Sequence, residues 1–321
     1  MRSAIFVDAG FLLSVGSSTI TGTSLRASTT VDTEPLIRGI LRATAEDSGL
    51  DPLRLYWYDA ARHGVFTEEH RRIALLDDVK VRLGRLGVNG QQKGVDLRLG
   101  LDLVEIARNG AARTAYLLTG DDDLAEAVEA AQDLGMRVVL MAVASRTHRL
   151  GWHSVAEHLA LQVDRIIALP QELIEETFRP VSRTAAPSAA PRPHPPLLGA
   201  SATPSRPEIL PTPGEVAARS TPPPLYSTSS RTEGPSPAEH PAESLLDVAR
   251  TVAENAARSW YGSTTMQELE EVVGDRPFLP ADIDGALLRD CAEKIGTEDT
   301  SRQSVRRHLR EVFWETIDQL H

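Results

Sequence analysis

The sequence predicts an α/β fold: an open parallel sheet flanked by helices over residues 1–179, then a Pro-rich linker and a small all-α module. Three observations carry this. Short apolar runs such as Ile5-Phe6-Val7, Ala115-Tyr116-Leu117-Leu118 and Arg137 to Val143 recur between helical stretches, and continuous apolar strands alternating with helices mean a parallel sheet covered on both faces. Sixteen of the 21 prolines fall between Pro180 and Pro241. Beyond them Leu245, Leu246, Ala249, Val252, Ala253 and Ala256 form one helical stripe, and Val305, Leu309, Phe313 and Ile317 form another.

In order, Ile5-Phe6-Val7 is a short buried strand. Residues 14–33, rich in Ser, Thr and Gly, read as a long loop, and a helix follows from Glu34 to Asp47. Leu53 to Tyr58 combines aromatic and apolar residues suited to a pleated surface. Residues 67–80 suit a helix and Val81 to Val88 a strand. Val95 to Arg108 is helical, with Leu97, Leu101, Val104 and Ala107 or Arg108 at the spacing of one face. A strand at 115–118, a helix from Asp121 to Leu134, a strand from Arg137 to Val143, a helix near 154–162 and a last strand at Arg165-Ile166-Ile167 complete the alternation. Residues 180–241 cannot bury enough apolar surface to offset their ordering entropy and read as a disordered linker. Residues 242–321 read as a separate small helical domain, a bundle or a winged-helix-like module.

Composition narrows the functional classes. The chain has 321 residues and a net charge of −11, which argues against coating nucleic acid through bulk charge but not against an enzyme that cuts it. The excess is unevenly placed: residues 1–180 carry −5, residues 181–240 carry +1 and residues 241–321 carry −7. No apolar run reaches the ~18 residues of a membrane span, and Asp8 directly after an apolar run of four reads as a strand end rather than a secretory leader. Cys291 is the only cysteine, so neither an intrachain disulfide nor a cysteine zinc site can form. A cytoplasmic address is the default expectation.

In an open parallel sheet, sites form outside the C-terminal ends of the strands. Asp8 ends the first strand, and Asp121, Asp122 and Asp123 follow another through Thr119-Gly120. Asp96, in Lys93-Gly94-Val95-Asp96, opens a helix. Clustered carboxylates repel one another unless something positive sits among them. A hard divalent cation, Mg²⁺ or Mn²⁺, suits such oxygen ligands, and would activate water and neutralise charge on a phosphodiester. On this reading Asp8, Asp96, Asp121 and Asp123 hold metal directly or through water, and Lys93 approaches a phosphate oxygen. The competing interpretation makes Asp121 an ordinary helix cap and Asp122, Asp123 and Asp96 complements to helix dipoles. Asp102 reads as a solvated helix residue and Asp59 as part of a strand-terminating turn. His63, His148 and His153 lack ligand spacing, Ser145 and Ser154 lack a nucleophile elbow, and Gly84, Gly87 and Gly90 fit no phosphate-loop template.

The set Ile5 to Gly10, Lys93 to Asp96, Leu118 to Leu124 and Gly135 to Val139 resembles the NYN domain, a family similar to the PIN nucleases and called LabA-like in bacteria. The resemblance covers residues 2–169. It implies a PIN-like fold and metal-dependent RNA cleavage. It assigns the acidic catalytic and metal-binding roles to Asp8, Asp96, Asp121 and Asp123, and substrate contacts to Lys93 and Thr119. Phe11 stands where many members carry Asn, and Leu124 and Thr119 replace the usual aromatic and Ser. A ribonuclease acting on RNA is therefore the leading expectation. A non-catalytic regulator is the alternative, with the NYN-like part binding RNA or protein and the helical module recruiting a protein partner. For such a binder Arg71, Arg72, Arg82, Arg85, Arg146 and Arg149 either form a phosphate-facing strip despite the net charge or lie scattered over a solvated surface. A haloacid-dehalogenase-like phosphatase is disfavoured by Gly10, two residues after Asp8. A receiver domain is disfavoured by the position of the Asp121–Asp123 turn.

Overall fold

The computed structural model describes residues 1–61, 64–86, 92–144, 151–181 and 242–321. The elements run β1 (Arg2–Asp8), α1 (Ala9–Thr21), β2 (Thr29–Val31), α2 (Thr33–Ser48), β3 (Asp51–Ala61), α3 (Glu68–Ala74), β4 (Val79–Leu86), β5 (Gln92–Lys93), α4 (Val95–Arg108), β6 (Thr114–Leu118), α5 (Ala125–Asp133), β7 (Arg137–Ala142), α6 (Glu157–Gln162), β8 (Arg165–Ala168), α7 (Gln171–Thr177) and β9 (Phe178–Pro180). After Pro241 come α8 (Ala242–Ser263), α9 (Met266–Gly274), α10 (Ala281–Ile295), α11 (Thr297–Ser301) and α12 (Gln303–Leu320). The linker expected over 180–241 lies, beyond residue 181, outside the described residues.

The main sheet has the order β5-β4-β3-β1-β6-β7-β8. Its six long strands are parallel, and only β5 pairs antiparallel, on β4. The alternation of side chains along β1 divides the core in two. Ile5 and Val7 face a layer with α1, α2 and α7, while Ala4 and Phe6 face a layer with α4 and α5. Phe6 stacks on Tyr56 with ring centroids 5.4 Å apart. The chain moves from β1 out to β3 and β4, then returns to β6 on the other side of β1. The order therefore reverses between β1 and β6, and that crevice is where an open α/β sheet forms its site.

Three expectations are corrected. Residues 14–21 are helix, not loop. Leu12, Val15, Gly16 and Ser17 give α1 a buried face, and Thr19 and Thr21 donate their hydroxyls to the carbonyls of Val15 and Ser17 at 2.9 Å, so these polar side chains are spent on the helix itself. On α4 the buried face is rotated from the expected stripe: Leu97 and Leu101 are 69% and 62% exposed, while Val95, Leu99, Gly100 and Leu103 are buried together with Ala107, which the stripe did include. Gly100 decides this, because a Cβ there would lie 3.2 Å from the Ala127 Cβ, and its absence lets α4 and α5 close on each other. The helix expected over 67–80 ends at Ala74, and Val79 and Lys80 already belong to β4.

Two glycines also seat the end of the α/β part. A Cβ on Gly16 would fall 2.3 Å from the Phe178 ring, and one on Gly39 2.3 Å from Leu173 Cδ1. β9 thereby lies against α1 and pairs antiparallel with β2, and α7 lies against α2.

The helices after Pro241 are not a detached domain. The described residues on both sides of the linker form one compact unit. Leu25, only 2% exposed, inserts into the core of the helical module beside Ala249, Ala253 and Leu287. Asp290 on α10 is buried, and accepts hydrogen bonds from Thr23 Oγ1 at 2.7 Å and the Ser24 amide at 2.9 Å.

Candidate active site

Asp8 sits where β1 passes into α1. Its Oδ1 accepts the Phe11 amide at 3.2 Å, capping α1. The register places Val7 beside Leu118, so the end of β1 and the turn after β6 share one edge of the sheet. On that turn Asp121 accepts the Asp123 amide at 3.1 Å and starts a 3₁₀ turn, Asp122–Leu124. Asp96 lies in the first turn of α4, which begins after Gly94 in the left-handed region at φ 76°. Asp8, Asp96 and Asp121 line one cleft of about 1040 Å³, together with Gly10, Phe11, Arg26 and Gly120.

The carboxylates act on one another. Burial, reinforced by Asp96 and Asp59, pushes the Asp8 carboxyl up to about 7. Burial, reinforced by Asp121 and Asp123, also raises Asp96. Among the described residues no Lys, Arg or His forms an ion pair with Asp8, Asp96, Asp121 or Asp123. The donor set is all oxygen, anionic and self-repelling, which fits a hard divalent cation. Among the described residues, however, no three His, Cys, Asp or Glu side chains are gathered closely enough to hold an ion directly. Contacts through water, which Mg²⁺ retains readily, suit this spacing.

The remaining candidates take other places. Asp123 is exposed and lies beside the cleft rather than in its lining, felt by Asp96 through its charge. Thr119 is fully buried, and its hydroxyl accepts the Asp121 amide at 3.3 Å; it shapes the turn from within instead of facing a substrate. Lys93 closes β5 opposite Arg85, and its side chain lies outside the described residues. So do His63, Gly87, Gly90, Ser145, Arg146, His148, Arg149 and the Arg85 side chain. Arg71 and Arg72 pair with Glu68 and Glu69 on their own helix, and Arg82 pairs with Asp102 at 3.1 Å, so these three form no phosphate-facing strip. Asp102 is half-buried rather than solvated, and also accepts the Tyr58 hydroxyl at 2.9 Å.

Three residues near the cleft carry no motif. Asp59 is buried on β3, 3.1 Å from His70 Nε2 and 3.8 Å from Arg26 Nη2, and its charge reaches Asp8. Arg26 lies in a stretch that reads as loop, and His70 is an ordinary-looking helix residue that closes a capping box with Thr67. Asp59, at the end of an aromatic strand, was the one with a sequence signal. Phe11 packs against both core layers and lines the cleft. A Cβ on Gly120 would fall 2.1 Å from the Ser154 carbonyl oxygen and 2.6 Å from Phe11 Cε2, so only Gly lets the Asp121 turn close on these neighbours.

A 71-residue stretch is 46% identical to Uncharacterized protein y4oD of Sinorhizobium fredii, covering 22% of this chain and 33% of that protein. The chain thus matches only about a third of that relative's length. A crystal structure of a protein of unknown function, VPA0982 from Vibrio parahaemolyticus, overlaps 53% of this chain and 94% of its own, at 15% identity and a TM-score of 0.37. The model of the NYN domain matches residues 4–170, just over half of the chain and the whole of the sheet that builds the cleft. By that match the chain belongs to the NYN domain family, whose members have a PIN-like nuclease fold.

Proposed function

We propose that this protein is a ribonuclease that hydrolyses RNA phosphodiester bonds with Mg²⁺ or Mn²⁺, in RNA processing or turnover. The observation that carries the reading is the convergence of Asp8, Asp96 and Asp121, from three separate segments, on the cleft at the β1/β6 reversal. Asp8, Asp96, Asp121 and Asp123 would hold the metal in part through its bound waters, as their spacing requires. A bound divalent ion supplies an activated water and neutralises charge on the phosphate. Asp8 spends Oδ1 on the Phe11 amide, which fixes its rotamer and leaves Oδ2 for a ligand. Thr119 and Gly120 hold the Asp121 turn against Phe11 and Ser154, so Asp121 faces the cleft without rearrangement. Lys93 is assigned to a phosphate oxygen. Among the described residues no helix is long and apolar enough to cross a membrane, and the proposed substrate favours the cytoplasm.

The test is cleavage of labelled RNA with Mg²⁺ or Mn²⁺ by wild type, Asp8→Asn, Asp96→Asn and Asp121→Asn. Activity that depends on metal and is lost in all three supports the reading; absent activity, or variants equal to wild type, refutes it. Phe11 favours a second reading, because it sets an apolar ring in the cleft where many family members carry Asn. A non-catalytic binder of RNA or protein would show no cleavage, while its RNA affinity survived chelation and the Asp substitutions.

A further inference from the structure

The cleft has a second wall that does not come from the NYN domain. Asp282, Asp284, Gly285, Arg289, Asp290 and Glu293 of α10 line it, opposite Asp8, Asp96 and Asp121. Its carboxylates are mostly committed elsewhere. Asp284 receives Arg310 in a two-pronged pair at 2.7 and 2.9 Å, Asp290 caps the Thr23–Ser24 turn, and Glu293 bonds His153 Nδ1 at 2.5 Å. Arg289, by contrast, has no hydrogen bond or ion pair among the described residues. A Cβ on Gly285 would lie 3.2 Å from Arg289 Nη1, so the guanidinium folds back over Gly285 along the cleft. Desolvation lowers its proton affinity; the charges of Asp290 and Asp282 oppose that, and Arg26, which lines the same cleft, adds to it. Two arginines that line one cleft, one of them making no hydrogen bond or ion pair among the described residues, are arranged for a shared anion. A guanidinium matches a phosphate by two parallel hydrogen bonds. The Asp290 and Leu25 contacts, next along the chain from Arg289 and Arg26, fix where both side chains start.

We propose that Arg289 and Arg26 together bind a phosphate of the RNA strand adjoining the one that is cut, so that the C-terminal module supplies half of the substrate cleft. The identity of the strand rests on the nuclease reading above; the two-arginine subsite rests on the cleft geometry. Glu293 and Asp290 lock the module in place, and Arg289 is what the module contributes.

The experiment measures binding of a short fluorescein-labelled single-stranded RNA to the full-length protein by anisotropy, in EDTA, across a salt series. Arg289→Gln and Arg26→Gln should each weaken binding about tenfold, the effect of losing about 1.4 kcal/mol of phosphate contact. Each should also make the log affinity–log salt slope shallower by about 0.7, as for one phosphate contact on a single strand. Arg306→Gln, exposed on α12, should change neither. The Arg289→Gln melting midpoint should stay close to wild type, since the guanidinium makes no hydrogen bond or ion pair among the described residues. In cleavage assays the same variant should raise KM and leave kcat near wild type, whereas damage to the fold would lower kcat. Wild-type affinity and slope in Arg289→Gln would overturn the proposal, as would a wild-type protein that binds no RNA. The two readings fail separately: cleavage by Asp8→Asn at the wild-type rate refutes the nuclease, while unchanged binding by Arg289→Gln refutes the subsite.

Discussion

Replacing Asp8 by Asn should make the folded chain more stable, and only at the upper end of the pH range. The Asp8 carboxyl is raised from 3.8 to about 7 by burial first, then by Asp96 and Asp59. Between those values the folded chain keeps a proton that the unfolded chain has released. The contribution of Asp8 to stability is therefore fully present below about pH 3.8 and is lost as pH rises through about 7. At about 1.36 kcal/mol per pH unit, that interval amounts to roughly 4 kcal/mol as an upper bound. Asn retains a side-chain oxygen that can accept the Phe11 amide, so the helix cap survives and the charge alone is removed. Urea unfolding followed by circular dichroism, with EDTA present, should give nearly equal stabilities for the two proteins near pH 4. Near pH 8 the variant should lead by up to roughly 4 kcal/mol. A difference that does not grow with pH, or a variant less stable than wild type near pH 8, would refute the claim that Asp8 is a strained buried charge. The same substitution should abolish cleavage, so gain of stability and loss of activity would come from one atom exchange.

Further outcomes follow from the same geometry. Mg²⁺ binding near pH 6, measured by calorimetry in buffers of different ionisation enthalpy, should release protons as Asp8 ionises, and this release should vanish near pH 8; binding without it would count against Asp8 as a ligand. Leu25→Ala should cost about 2–5 kcal/mol, because a side chain 2% exposed leaves a cavity inside the helical module. The module should then unfold ahead of the sheet in a tryptophan-monitored melt, and a coincident, unshifted transition would contradict the docking. Gly120→Ala should destabilise by about 1–3 kcal/mol and lower activity together, since its methyl group meets the Ser154 carbonyl oxygen at 2.1 Å. Wild-type behaviour in both assays would mean that the Asp121 turn tolerates displacement.

The sheet was legible because its strands are continuous apolar runs that leave little choice of structure. The candidate site was legible only as far as strand ends can place carboxylates at one sheet edge, since the same Asp8 also serves as the N-cap of α1. What was hidden depended on contacts made far along the chain. The hydroxyls of Thr19 and Thr21 look like loop composition until they turn back onto α1. Leu97 and Leu101 satisfy a helical stripe as well as Leu99 and Leu103 do, and only the closeness permitted by Gly100 selects between the faces. Arg26 and Arg289 stand 263 positions apart, and no local pattern marks either one. The buried Asp290 looks like any acidic residue in a module with a net charge of −7, until Thr23 and Ser24 are set against it.

The two glycine sockets under Phe178 and Leu173 bear on where the NYN part can be cut. The family match stops at residue 170, yet Leu173, Ile174 and Phe178 are buried in the same layer as Ile5 and Val7. A fragment trimmed to the match would bare the grooves at Gly16 and Gly39 and leave β2 an unpaired edge. The first of those grooves runs along the helix whose N-terminus Asp8 caps. The unit that homology outlines is thus smaller than the unit that folds, and a truncation meant to isolate the NYN part has to keep the chain through Pro180 to leave α1, and with it Asp8, in register.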